Sequence, residues 1–320
     1  MPIVPRDRLS SRSSLASRRA RSPPCYAARV NAGLRWCLGR DRASAGARGA
    51  REMVEQSVSR GSGWQPGQYG RFHDERSLPF YDLAGMVQPA PGMRVADLGC
   101  GTGELTAWLH KELGATETVG IDSSAVMLAE AGLHTLPGMR YEQADIMDAA
   151  TRYHEAFDLV FSNAALQWIL GHDTLFPKIA AMVKPGGQLA VQMPANGWHI
   201  GHQLPAEIAR EAPFAAALEG WTREDPVREP EFYMQVLHEQ LGFSPQRVRM
   251  EIYTHQLEST RGIVEWVKGS VLSAYRERLP ADLYPHFVEE YERRLIAAIG
   301  DQSPYLYPFK RILFWGRKPL

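Results

Sequence analysis

The stretch from Val95 to Leu109, VADLGCGTGELTAWL, constrains this chain more than any other. VADL is apolar on either side of one acid and reads as a buried strand leaving a sheet. GCGTG cannot be core, because each glycine loses more backbone freedom on folding than any other residue. Beyond it, Leu105, Trp108, Leu109 and Leu113 recur at helical spacing, and Gly114 stops the pattern. A strand, a glycine turn and a helix in succession make a ligand cradle.

The alternation continues downstream. TETVGID (Thr116 to Asp122) reads as a second strand, again closing on an acid. Ser123 or Ser124 then caps a helix holding Met127, Leu128 and Ala131. MRYEQAD (Met139 to Asp145) and FDLVFSN (Phe157 to Asn163) are third and fourth strands, with a helix after Trp168. A turn at Pro185–Gly187 leads into a fifth, Gln188 to Met193. Strands separated by helices imply an α/β fold with parallel pairing and right-handed crossovers. Ligands of such sheets sit beyond the carboxyl ends of the strands. Gly99, Gly101, Gly103, Asp122, Asp145 and Asn163 all fall at that edge.

Asp122 follows the glycines at the distance of a ribose-hydroxyl acceptor, about 20 residues on in dinucleotide sites. Asp145, one strand further, can accept from an amino group such as that of adenine. Either acid alone could be a helix cap or a solvated loop residue; with the glycine turn they point to a ligand. A nicotinamide site wants GxGxxG, but the string here is GCGTGE, with Glu104 where the last glycine belongs. A carboxylate at that helix N-terminus would oppose a pyrophosphate. A phosphate-free cofactor with a cationic centre meets no such conflict, and S-adenosylmethionine is that cofactor.

At 320 residues and 44% apolar content the chain can bury one large core. No apolar run has the length of a membrane span. Cys25, Cys37 and Cys100 are too scattered for a disulfide framework or a zinc site, and no metal is expected. The net charge of zero hides an asymmetry. Residues 1–52 hold twelve Arg, no Lys and three acids, so the rest carries 24 basic and 33 acidic side chains. An acidic body argues against nucleic acid as a partner. The Arg-rich head, residues 1–60, is expected to be disordered. It reads either as an organelle transit peptide or as sequence upstream of a true start at Met53. The second is preferred, because the head lacks a clear amphipathic helix, and a cytoplasmic location goes with it.

DLGCGTG, GIDSS, QAD and FSNAALQW together resemble the ordered motifs of the seven-strand S-adenosylmethionine-dependent methyltransferases. WQPGQYGRFHDERSLP (Trp64 to Pro79), NAALQW (Asn163 to Trp168), LAVQMP (Leu189 to Pro194) and IVEWVKG (Ile263 to Gly269) resemble the trans-aconitate methyltransferases more narrowly. The likeness covers about residues 64–320. It implies a Rossmann-like seven-strand mixed sheet with helices on both faces. Gly201–Leu241 would be helices on the sheet, Arg247–Gln256 a sixth strand, and Lys310–Gly316 an antiparallel seventh. A helical cap would span about residues 259–300 of a domain running from 61 to 320. Asp97 and the glycine turn would line the methionine end of the cofactor, Asp122 and Ser123 the ribose, and Asp145 with Ile146 the adenine. Asn163 would stand beside the methyl group, while Tyr69 and Arg76 would close over the cofactor. Trp168, Trp198 and Trp266 are candidates for the acceptor wall, though ordinary core packing is the preferred explanation for them.

The reaction implied is O-methylation of a carboxylate of a small organic acid, trans-aconitate first, by a monomer. A carboxylate is already ionised at neutral pH, so positioning replaces a strong general base. Asn163, His199 and Arg311 are the candidate catalytic groups; His73, His172 and His202 could also assist. One departure bears on the acceptor. Family members commonly follow WVKG with TGLRP, whereas this chain reads Ser270-Val271-Leu272-Ser273-Ala274, with Ser273 where an arginine is expected. Arg261, Arg276 or Arg311 could supply the missing charge. The alternatives are a different small-molecule acceptor on the same fold, a nicotinamide oxidoreductase, and a cofactor-binding regulator without turnover.

Overall fold

The computed structural model describes residues 77–320. The expectations for the Arg-rich head and for Tyr69, Arg76 and His73 lie outside the described residues.

Five strands leave the glycine-turn half of the chain: β1 (Arg94–Leu98), β2 (Glu117–Asp122), β3 (Met139–Gln143), β4 (Phe157–Asn163) and β5 (Val183–Pro194). They pair in parallel, with β1 between β2 and β4. Two long strands follow, β6 (Gln246–Leu257) and β7 (Tyr305–Arg317), and β7 inserts antiparallel between β5 and β6. The sheet order is β3-β2-β1-β4-β5-β7-β6. The chain reverses direction across the sheet between β1 and β4, so the crevice lies beyond their carboxyl ends.

Helices cover both faces. On one, α1 (Leu78–Ala84) and α2 (Glu104–Glu112) pack Phe80, Leu83 and Leu109 against Val95, Leu159, Phe161 and Leu313. α3 (Ala125–Ala131) follows β2, capped by Ser124, whose hydroxyl accepts from the Met127 N–H at 3.3 Å. On the other face, α4 (Ile146–Arg152), α5 (His172–Ala181) and α8 (Pro230–Gln235) bring Ala149, Phe176, Ile179 and Tyr233 onto Val119, Val160, Val191 and Phe314. Burial of this kind contributes roughly 1.5–3 kcal/mol per large apolar side chain.

A separate apolar cluster forms the cap. It joins α6 (Ile200–Ile208), α7 (Phe214–Ala217), α9 (Gly262–Lys268), α10 (Ser273–Arg276) and α11 (Leu283–Ile299) through Leu204, Ile208, Val264, Val267, Tyr275, Phe287 and Tyr291. The Tyr291 hydroxyl donates to the Gly201 carbonyl at 2.9 Å, which pins the start of α6 to α11. The segment Gly201–Leu241 is therefore divided. Its second part lies on the sheet as expected, but α6 and α7 belong to the cap. Their apolar side chains meet α9 and α11 instead.

β7 explains where the cap sits. β5 pairs only with Arg311–Arg317, whereas β6 pairs with the whole run from Tyr305 to Gly316. Residues 305–310 and 252–257 thus continue past the sheet as a two-stranded ribbon, and Tyr305, Tyr307 and Phe309 enter the cap core. Pro308 is tolerated there because no strand lies on its β5 side. The turn expected at Pro185–Gly187 is instead a bulge inside β5. Val183 pairs with Phe157 and Gln188 with Leu159, so the intervening residues bow out of register.

Candidate active site

The turn after β1 is built by backbone geometry. Gly99 sits at φ +75°, and a Cβ on it would meet the Ala165 Cβ at 2.2 Å. The turn can pass the chain after β4 this closely only with glycine at that position. Gly101, at φ +56°, would point a Cβ into open space, with nothing within 4 Å. That space is a cavity of about 470 Å³ lined by Gly99, Gly101, Asp122, Ser123, Ser124, Met127, Asp145 and Ile146, with Ala164, Ala165 and Trp168 opposite.

Asp122 is held firmly in that wall. Its Oδ2 accepts from the Gly101 N–H at 2.9 Å and its Oδ1 from the Ser124 N–H at 2.9 Å. Each oxygen keeps a lone pair for a further donor. Asp145 caps α4, its Oδ1 accepting from the Met147 N–H at 2.7 Å, and lies in the same wall. Among the described residues the lining contains two carboxylates and no lysine or arginine. It suits hydroxyls, an amine or a cationic centre and opposes a pyrophosphate. S-Adenosylmethionine fits this donor set; a dinucleotide does not.

A profile described as "Methyltransferase domain" matches residues 95–187, the segment from β1 into β5. The trans-aconitate 2-methyltransferase of Deinococcus radiodurans is 39% identical over 262 residues, covering 80% of this chain and 98% of that one. That of Variovorax paradoxus is 38% identical over 259 residues, with the same shares covered. The chain belongs to the trans-aconitate 2-methyltransferase family. Membership makes it an S-adenosylmethionine-dependent methyltransferase. The solved structure of the YcgJ protein from Bacillus subtilis shares the fold, at TM-score 0.51 and 14% identity over 76% of this chain and 98% of that one.

The family motifs do not all reach the cavity. Asp97 lies beneath the glycine turn, 3% exposed, accepting from the Thr106 hydroxyl at 2.6 Å. Burial pushes its carboxyl up to about 6; the Thr106 bond works against this and the Asp122 charge adds to it. Gly103 is likewise off the wall, packed against Tyr141 and Ala131. Asn163 ends β4 beside the wall, with its Oδ1 buried and unpartnered. The next residue, Ala164, holds a left-handed φ of +54°.

Ala164 and Trp168 also line a second cavity of about 390 Å³. Its far wall is made by the cap and the ribbon: His202, Trp266, Gly269, Ser270, Phe309 and Arg311, with Asn196, Arg223, Asp225 and Glu265 nearby. The shared residues set the two cavities directly side by side. Of the tryptophans, Trp168 and Trp266 are in this wall; Trp198 lies in neither, under the Lys310 ammonium 4.0 Å away.

Arg311 is the notable group here. It is 6% exposed, and burial lowers its guanidinium to about 10. Its Nη1 donates to Gln192 Oε1 at 3.4 Å, its Nε has no partner, and no carboxylate pairs with it among the described residues. Arg261 instead pairs with Glu292 and Asp301, and Arg276 is exposed and off the wall. Ser273 is also off the wall, its hydroxyl donating to the Ser270 carbonyl at 2.5 Å. His199 is the N-cap of α6, with Nδ1 accepting from the Gly201 N–H at 3.0 Å; it is buried away from both cavities. His172 is buried under Leu166, bonding the Leu166 carbonyl and the Tyr233 hydroxyl.

Sequence reasoning missed Gln192, Arg223 and Asp225, and did not single out His202. Gln192 is fully buried, directly opposite Asn163 in register, with an unpartnered Nε2. The signal was available: one glutamine inside the apolar strand LAVQMP has no packing reason to be there.

Proposed function

We propose that the protein transfers a methyl group from S-adenosylmethionine to a carboxylate oxygen of a small polycarboxylic acid, trans-aconitate being the first candidate. The observation that carries the reading is Arg311, a buried guanidinium without a carboxylate partner among the described residues, facing a cavity that shares a wall with the cofactor cavity. A buried charge left alone costs several kcal/mol, and an anionic ligand offsets that cost. The relatives named trans-aconitate 2-methyltransferase support the same acceptor.

The cofactor, when bound, supplies an electrophilic methyl on a sulfonium. Asp122 would accept from the ribose hydroxyls, with Ser123 beside it, and Asp145 with Ile146 would flank the adenine. Gly99 and Gly101 keep the turn low enough for close approach. Asn163 Oδ1 stands next to the shared wall as an acceptor. Arg311 would hold a carboxylate that is not methylated, leaving another free to face the shared wall. Trp168 and Trp266 exclude water. No general base is required, because the acceptor oxygen is already unprotonated. Residues 61–320 form the catalytic unit in this reading; relatives that match 80% of this chain over 98% of their own length support a single unit of about that size.

A methyl-transfer screen over di- and tricarboxylates tests the proposal. Turnover of trans-aconitate is expected, and Arg311→Met should raise its KM at least tenfold, about 1.4 kcal/mol, with cofactor affinity unchanged. Arg276→Met is the control and should leave KM alone. Inertness of the wild type toward every polycarboxylate, or an unaffected Arg311→Met variant, removes the reading.

A further inference from the structure

His202 stands in the acceptor wall, and the groups behind it settle which of its nitrogens carries the proton. The chain of bonds begins at a donor that cannot be reversed. The backbone N–H of Lys310 donates to Asn196 Oδ1 at 2.8 Å. That fixes the amide, so Asn196 turns its Nδ2 toward the Tyr307 hydroxyl, 3.4 Å away. Tyr307 is fully buried and also lies 3.0 Å from His202 Nε2. With one neighbour already donating to it, the hydroxyl must place its own proton on His202. Otherwise a buried O–H is orphaned, which costs more than a hydrogen bond gains. Nε2 is therefore an acceptor. Burial holds the ring neutral, its basicity pushed down to about 3, with His199 and Arg223 adding to the effect. A neutral ring whose Nε2 accepts carries its hydrogen on Nδ1. Nδ1 has no partner among the described residues, and the ring lines the acceptor cavity.

We propose that His202 is a specificity-determining residue for the acceptor, presenting a fixed Nδ1–H donor to an unprotonated oxygen of the substrate. The inference rests on the reading of this cavity as a carboxylate site. It assigns the polar pair that reads the acceptor: Arg311 supplies charge, and His202 supplies a directed neutral bond. The ring does not act as a base, because its accepting nitrogen is committed to Tyr307. A protonated acceptor oxygen would bring a hydrogen toward the Nδ1–H, which selects for the ionised acid.

The test separates the two ring nitrogens. In His202→Asn the amide nitrogen falls near the position of Nδ1 and can still donate into the cavity. In His202→Gln the amide reaches the position of Nε2, keeping the Tyr307 contact and losing the cavity donor. Steady-state kinetics on the full chain with trans-aconitate should show KM raised about ten- to hundredfold in the Gln variant and kcat little changed, the range for losing a bond to a charged group. The Asn variant should stay within about threefold of wild type, since its donor survives. Cofactor affinity by calorimetry should be unchanged in both, which also shows that they fold. Equal KM in the two variants, or the opposite order, overturns the proposal. Tyr307→Phe gives a second reading without altering the ring. Freed of its partner, the imidazole can place its proton on either nitrogen, and with the two tautomers equally populated KM should rise about twofold. An unmoved KM there also overturns it. Wild type that methylates no polycarboxylate overturns this inference together with the function on which it rests, and that result appears before any variant is made.

Discussion

The cavity at the glycine turn and the cavity walled by the cap, proposed for cofactor and acceptor, share Ala164 and Trp168 but are built by opposite means. The first is made of backbone. A glycine turn, two strand ends and two helix starts present N–H groups and carboxylates already locked to one another, as Asp122 is to Gly101 and Ser124. The second is made of side chains carried from distant segments, with Arg311 and His202 brought to one wall by β7 and α6. Backbone sites tolerate little change in shape. Side-chain sites exchange one recognition group for another at small cost to the fold. The two halves should therefore fail differently when altered.

The sharpest way to expose that difference is Gly99→Ala. The added methyl meets Ala165 at 2.2 Å, on a backbone already at φ +75°. Left-handed strain of about 1–2 kcal/mol and overpacking of about 1–3 kcal/mol act together. Chemical denaturation should show a loss of about 2–5 kcal/mol, with cofactor binding reduced as well. A variant as stable as wild type would mean that the turn yields, and the contrast would collapse.

Asp122→Ala comes next. It removes acceptors for Gly101, Ser124 and the proposed ribose contact, and should weaken S-adenosylmethionine binding by about 1.5–3 kcal/mol. Titration calorimetry reads this directly. Unchanged affinity in a folded variant would remove Asp122 from the cofactor site.

The smallest effect is a slope. Asp97 titrates near 6 in the folded protein, above its ordinary value of 3.8, because it is buried. The folded state binds its proton more tightly than the unfolded chain does. That contribution to stability is fully present below about pH 4 and is lost as pH rises through about 6. Asp97→Asn should flatten the fall in melting temperature across that window. An identical pH profile in the variant would show that Asp97 is not the group responsible.

Legibility followed the same division. That Gly99, Gly101, Asp122 and Asp145 line one cavity could be read because strand ends and helix starts are local, and the crevice gathers them; Ile146, in the same lining, was implied by the family resemblance. Asp97 and Gly103 carry the motif but serve the turn from below, through Thr106 and Tyr141. That distinction depends on side-chain direction rather than spacing. Arg311 was singled out as a charge, but its lack of a carboxylate partner among the described residues appears only in three dimensions. The relay that orients His202 joins Asn196, Tyr307 and Lys310, so it spans more than a hundred residues of chain. The family resemblance implied helices over Gly201–Leu241 but could not say which apolar surface α6 would meet. The bulge in β5 was hidden because glycine and proline mark turns and bulges alike.

The two-stranded ribbon has a consequence for how this enzyme can diversify. Arg311 lies at its foot, opposite Pro194, where β7 is still held between two strands. Trp266, Gly269 and Ser270 lie in or just after α9, beyond the point where the sheet ends. In the proposed reading the anchor for one carboxylate is thus fixed to the sheet, while the surfaces that meet the rest of the acceptor belong to a cover with its own apolar core. Such a cover can be redrawn to take other acids without rebuilding the cavity at the glycine turn.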